Sequence, residues 1–190
     1  VLFHTKAIET VLKKAINKEQ YTDSDVFFYN DQWHCFDAHS RLSNTSRAQL
    51  LLNLNTNLEL ISKQINNATH IVITLGTAWV YNVISTNSTV ANCHKLPQNE
   101  FNKVLLSIEE IKQSLQSIIN NIKSVNSKAS IVFTVSPVRH LKDGFIENTL
   151  SKAHLISAIH QVLNEEIFYF PSFEIMIDEL RDYRFYKSDM

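Results

Sequence analysis

Residues 70–75 read HIVITL and residues 130–136 read SIVFTVS. Each is a short, continuous run rich in β-branched residues, the pattern of a strand buried on both faces of a sheet. Around them, apolar residues recur at helical spacing. Ala7, Ile8, Val11, Leu12, Ala15 and Ile16 share one helical face, and residues 46–65 read as a long amphipathic helix with Ser46 as its N-cap. Ser107 and Glu110 form a capping box that opens a helix through Ile111, Leu115, Ile118, Ile122 and Val125. Residues 25–36, DVFFYNDQWHCF, predict two extended pieces joined by a turn at Asn30-Asp31. A further helix is expected over 148–165 and a short strand over 167–170, IFYF. Pro171-Ser172 then opens a helix through Ile175, Ile177, Leu180 and Tyr183. Strands alternating with helices predict one α/β domain over residues 1–190, a three-layer α/β/α sandwich around a mainly parallel sheet.

In such sheets, ligands bind beyond the carboxyl ends of the strands. Two polar clusters fall there: GTAW at 76–79 and SPVRH at 136–140. The segment 76–106 is punctuated by Asn and Pro and reads as irregular; connections of that length often carry function.

Composition excludes several chemistries. The 190 residues carry a formal net charge of -1 with both signs interspersed, which leaves no basic stripe for nucleic acid and no polybasic membrane anchor. The most apolar stretch, 71–84, is too short and too interrupted for membrane insertion. Gly76 and Gly144 are the only glycines, so a dinucleotide fingerprint, a phosphate-binding P-loop and a G-x-S-x-G nucleophile elbow are all missing. No cofactor is expected. The two cysteines, Cys35 and Cys93, do not make a disulfide framework, and a cytoplasmic protein is the default.

Three groups of residues invite a chemical reading. Ser136, Arg139 and His140 follow a strand end, where Arg139 would orient an anion and Ser136 with His140 would make a pair. Ser136-Pro137 equally well just ends the strand, since proline donates nothing to a ladder. The adjacent His-Cys pairs, His34-Cys35 and Cys93-His94, contain zinc-ligand types but not zinc spacing, so no metal is expected and the thiols are read as small buried hydrophobes. Asp178 and Arg181 fit a solvated helix face with ion pairs three residues apart, whereas the aromatic residues Tyr183, Phe185 and Tyr186 around Arg184 suggest a packed element with a buried or stacked guanidinium.

Four phrases together resemble the GSCFA family of bacterial proteins, grouped with the SGNH/GDSL-like hydrolases. They are TLGTAWVY (74–81), VANCHKLP (90–97), FTVSPVRHLKDGFIENTLSKAHL (133–155) and YFPSFEIMIDELRDYRFYKSDM (169–190). Residues 1–69 resemble it more weakly, chiefly through HSRLS (39–43). The resemblance implies a serine esterase or acyltransferase acting on a small or carbohydrate-linked acyl substrate. It assigns Asp189 to the Asp of a D-x-x-H segment, whose His would lie beyond Met190. It places the nucleophilic Ser in a G-S-C segment that the chain does not contain, so a fragment lacking the family's N-terminal segment is expected. Gly76 and Thr77 would line the oxyanion site, with Ala78 standing where the related enzymes carry an Asn donor, and Asn92 is the substitute donor. His94, Ser136, Arg139 and His140 would shape the substrate cleft. The alternative is a catalytically silent ligand-binding or interaction domain on the same fold, which the Ala78 departure favours.

Overall fold

The computed structural model describes residues 2–185. The chain begins with helix α1, Thr5–Ile16, whose first turn is capped by His4: Nδ1 accepts from the Ala7 N–H at 3.2 Å. The hairpin β1 (Val26–Tyr29) and β2 (Gln32–Cys35) follows, with positive φ at Asn30 (46°) and Asp31 (59°), the backbone that a two-residue hairpin turn requires. Helix α2, Arg47–Asn67, starts at the Ser46 cap and buries Leu50, Leu54 and Leu58, a four-residue repeat that packs on the hairpin.

Strand β3, His70–Leu75, leads into three short strands: β4 (Trp79–Val83), β5 (Thr89–Val90) and β6 (Phe101–Leu105). These form an antiparallel sheet of their own, ordered β5-β4-β6, where the sequence read an irregular connection. The strands are short, Asn82 and Asn102 interrupt β4 and β6, and these two strands leave Tyr81 and Val104 exposed, so no clean period shows. Helix α3 (Ile108–Val125) opens with the expected Ser107–Glu110 capping box. Strand β7 (Ser130–Val135), helix α4 (Phe145–His160) and strand β8 (Ile167–Phe170) complete the repeating part, followed by a helical turn, Ser172–Glu174, and a π-helical turn, Ile175–Glu179.

The architecture is thus mixed α/β, with three separate sheets among the described residues in place of a single one. The parallel sheet has the order β3-β7-β8, with Ile73 opposite Phe133 and Phe133 opposite Tyr169. Alternate residues Ile73, Leu75, Ile131, Phe133, Val135 and Ile167 join Ile111, Leu115, Ile118 and Ile122 of α3 and Leu155 and Ile159 of α4 in the main core. Their neighbours face the other way. Val72 is 65% exposed, Phe168 46% and Phe170 53%. The expectation that HIVITL is buried on both faces is therefore corrected: only one face is. The reason is topological. Parallel crossovers keep one hand, and the chain steps from β3 to β7 to β8 in one direction. Two steps of one hand in one direction put α3 and α4 on the same side.

Two substitutions measure this asymmetry. Phe133→Ala should lower the unfolding free energy by about 3–5 kcal/mol, whereas Val72→Ala should stay within about 0.5 kcal/mol. Urea midpoints read at unchanged slope check both.

Candidate active site

The site is built where β3 and β7 end, and helix α4 supplies its foundation. Asn148, Ser151, Lys152, Leu155, Ala158 and Ile159 form the buried stripe of α4. The first three are polar, and each reaches a loop above the sheet. The Asn148 Oδ1 accepts from the His140 N–H at 2.9 Å. The Ser151 Oγ accepts from the Ala78 N–H at 2.8 Å and lies 3.2 Å from the Thr77 Oγ1. Lys152 is 1% exposed, and its Nζ donates to the Gly76 carbonyl at 2.6 Å and to the Ser136 carbonyl at 2.8 Å. One ammonium thus ties the residue after β3 to the residue after β7. Burial pushes its pKa down to about 8.

Gly76 is held just as closely from the other side. The Gly76 and Thr77 N–H groups both donate to the Phe3 carbonyl, at 2.7 and 3.1 Å, and a Cβ on Gly76 would meet that oxygen at 3.3 Å. The Trp79 N–H donates to the Thr77 Oγ1 at 3.0 Å. Every backbone donor from Gly76 to Trp79 is therefore spent inside the protein.

Two cavities adjoin above this platform. The larger, 990 Å³, lies between the β4-β6 sheet and the loop that follows β7, and its lining includes Thr77, Trp79, Tyr81, Lys103, Arg139 and His140. The smaller, 220 Å³, is lined by Phe3, His4, Val90, Asn92 and Cys93. They share Thr77, Trp79, Tyr81 and His140. Lys103 clips the two walls of the larger one, pairing with Asp143 while its Nζ lies 4.7 Å from the centroid of the Trp79 ring.

His140 stands on the boundary between the cavities. Burial lowers its pKa first and the Lys152 charge lowers it further, against Asp143 and a hydrogen bond to the Gly76 carbonyl, which raise it. A neutral imidazole that gives its one N–H to a carbonyl keeps the other nitrogen as a proton acceptor.

The structure thus gathers Thr77, Arg139, His140 and Asn92 at the cavities, with Gly76 beneath them. The Asn92 Oδ1 accepts from the His94 N–H at 2.8 Å, which leaves its amide N–H groups as donors. The Ser136 Oγ accepts from the Val138 N–H at 3.2 Å, closing the turn after β7. His94 lies in neither cavity: it is 4% exposed, its ring centroid is 4.7 Å from that of His34, and its Nε2 lies 2.7 Å from the Cys35 carbonyl oxygen. Both cysteines are free thiols, and burial raises Cys35 to about 12 and Cys93 to about 11. Among the described residues, no group of three His, Cys, Asp or Glu side chains is placed to hold a metal. No helix among them is long and apolar enough to cross a membrane. Asp189 lies outside the described residues.

Sequence reading missed Ser151 and Lys152 as site residues. The available signal was their position: with Asn148 they sit three, four and seven residues from Leu155, on the apolar stripe of α4 rather than opposite it.

Fold and site together define an α/β domain with a two-chambered cleft at the carboxyl edge of a parallel sheet. The chain belongs to the GSCFA family, whose model matches residues 1–190. That match takes in residues 1–69 and so corrects the expectation of a fragment lacking the family's N-terminal segment. No curated protein and no solved structure matches the chain.

The His140 ring should titrate in an NMR pH series with a midpoint below 6.5. Lys152→Met should move that midpoint upward and Asp143→Asn should move it downward. Because the unfolded chain binds this proton first, His140 contributes stability at neutral pH that is lost as pH falls below 6.5.

Proposed function

We propose that the domain processes acyl esters by serine chemistry, as a hydrolase or acyltransferase of the SGNH type. The observation that carries this reading is the pair of unequal cavities sharing Thr77, Trp79, Tyr81 and His140 as their common wall. An ester has two unequal halves joined at one carbonyl. The small chamber suits a short acyl group, the large one suits the alcohol that carries it, and the shared wall is where the carbonyl would lie. With the N–H groups of Gly76 and Thr77 donating to Phe3, the Asn92 amide is the donor we assign to the developing oxyanion. The described residues bind and orient; no Ser–His–Asp set is assembled among them, and Asp189 is the carboxylate we retain for that role. Two free thiols accord with a cytoplasmic setting.

The second reading, a silent binding domain, is favoured by the same spent backbone donors at Gly76 and Thr77. Labelling with a fluorophosphonate probe separates the two, because only an activated serine reacts. We expect one labelled serine and turnover of aryl esters that falls at least about tenfold from acetyl to octanoyl, as the small chamber fills. Asn92→Ala should cost about 10²–10³ in kcat if Asn92 holds the oxyanion. No labelled serine and no acyl release would leave the binding domain.

A further inference from the structure

Helix α4 is apolar on both sides. Its inner face carries core residues and the supports of the cleft, Asn148, Ser151 and Lys152. Its outer face presents Ile146, Thr149, Leu150, Ala153 and Ser157 to solvent, with no Asp, Glu, Lys or Arg among them. Phe145 extends this surface at the start of the helix. Helix α3 is the contrast, exposing Glu109, Glu110, Gln113, Gln116 and Asn120. A helix at a domain surface ordinarily turns charge to water, and one that is apolar all round is a helix that becomes covered. Here Phe145 is 74% exposed, Ile146 78% and Leu150 44%. Together with Thr149 and Ala153 they line a groove of 480 Å³. Apolar residues scattered singly on a surface need no partner; a contiguous groove of them does.

The relief of this face says what covers it. Side chains four residues apart form ridges on a helix. Ile146 and Leu150 make a ridge of large side chains, and Thr149, Ala153 and Ser157 make a shallow row beside it. A face that carries a ridge and a hollow at the same pitch is complementary to itself, which is what a two-fold contact between identical subunits requires. Interlocking four-residue ridges cross at about −50° with axes about 8–10 Å apart, and short side chains in the hollow permit that approach. Charge points the same way. Across a two-fold axis each residue near the centre meets its own copy, so an ionised group there would face its like. This face has none, and the whole chain carries only -1. Helices crossing at that angle touch over about two to three turns, which buries less than the roughly 800 Å² per partner of a standard interface. The association is therefore a reversible one.

We propose that the outer face of α4 is a self-association surface, through which two copies of this domain pair about a two-fold axis beside Leu150. The supports of the cleft lie on the opposite face of the helix, so pairing leaves them in place.

Sedimentation velocity from about 5 to 500 µM should show a shift from monomer to dimer that is half complete in the micromolar range. Leu150→Lys and Leu150→Glu, each at an exposed position, should weaken self-association at least about tenfold with the far-UV circular dichroism unchanged. An equimolar mixture of the two variants should pair at least about tenfold more tightly than either alone, because opposite charges then meet across the axis. Gln116→Lys, on the outer face of α3, should change nothing. A monomer at every concentration, a dimer that both Leu150 variants leave intact, or a mixture no tighter than either variant would overturn the proposal. So would a monomer that sediments with phosphatidylcholine vesicles and loses them on Leu150→Lys, which would give this face to a lipid surface.

Discussion

A buried ammonium organises this molecule. Among the described residues, Lys152 has no carboxylate within ion-pair reach; its Nζ is met by the carbonyls of Gly76 and Ser136. Burying an ionised amine is costly unless it is hydrogen-bonded, and the loops after β3 and β7 supply it with two carbonyl acceptors. The ladder between β3 and β7 sets the spacing of their rims, up to the Ser136 N–H on the Leu75 carbonyl, and Lys152 bridges the two residues just beyond it. Lys152 also sets a positive charge under His140, adding to burial in lowering the proton affinity of the imidazole shared by both cavities.

The neighbouring residue completes the arrangement. Ser151 holds the Ala78 N–H and meets Thr77, which in turn holds the Trp79 N–H. Strand β4 begins at Trp79, so α4 determines where the antiparallel sheet starts and therefore how the aromatic wall faces the cleft. From the opposite side, the Phe3 carbonyl takes the two N–H groups before it. The turn after β3 is pinned from both sides. Binding geometry built on such supports is held more tightly than geometry built on free loops.

Asymmetry is the other consequence of the topology. Both crossover helices cover one face of the parallel sheet, and the other face leaves Val72, Phe168 and Phe170 exposed. The β-branched run in HIVITL announces a strand well, because side-chain shape alone favours extended backbone. It says nothing about how many of its faces acquire a helix, since that depends on the direction in which the chain next steps across the sheet.

Much of the fold was readable from the chain. The helices with regular apolar stripes, the capping box at Ser107, the turn at Asn30-Asp31 and the strands around Ile73 and Phe133 are local features, each set by neighbours within a few residues. The placing of the two polar clusters at the sheet rim followed as well, because they directly follow strands. What the sequence could not decide was long-range. Whether Gly76 and Thr77 offer their N–H groups depends on Phe3, more than seventy residues away in the chain. Whether Lys152 is a solvated charge or a buried clamp depends on which side of α4 meets the sheet. Whether Asn92 and His94, two residues apart, share a cavity depends on the packing of His34 against His94. Local pattern determines elements, because its causes are local; contacts between distant segments determine the site, because burial and hydrogen-bond partners exist only after the chain has closed on itself.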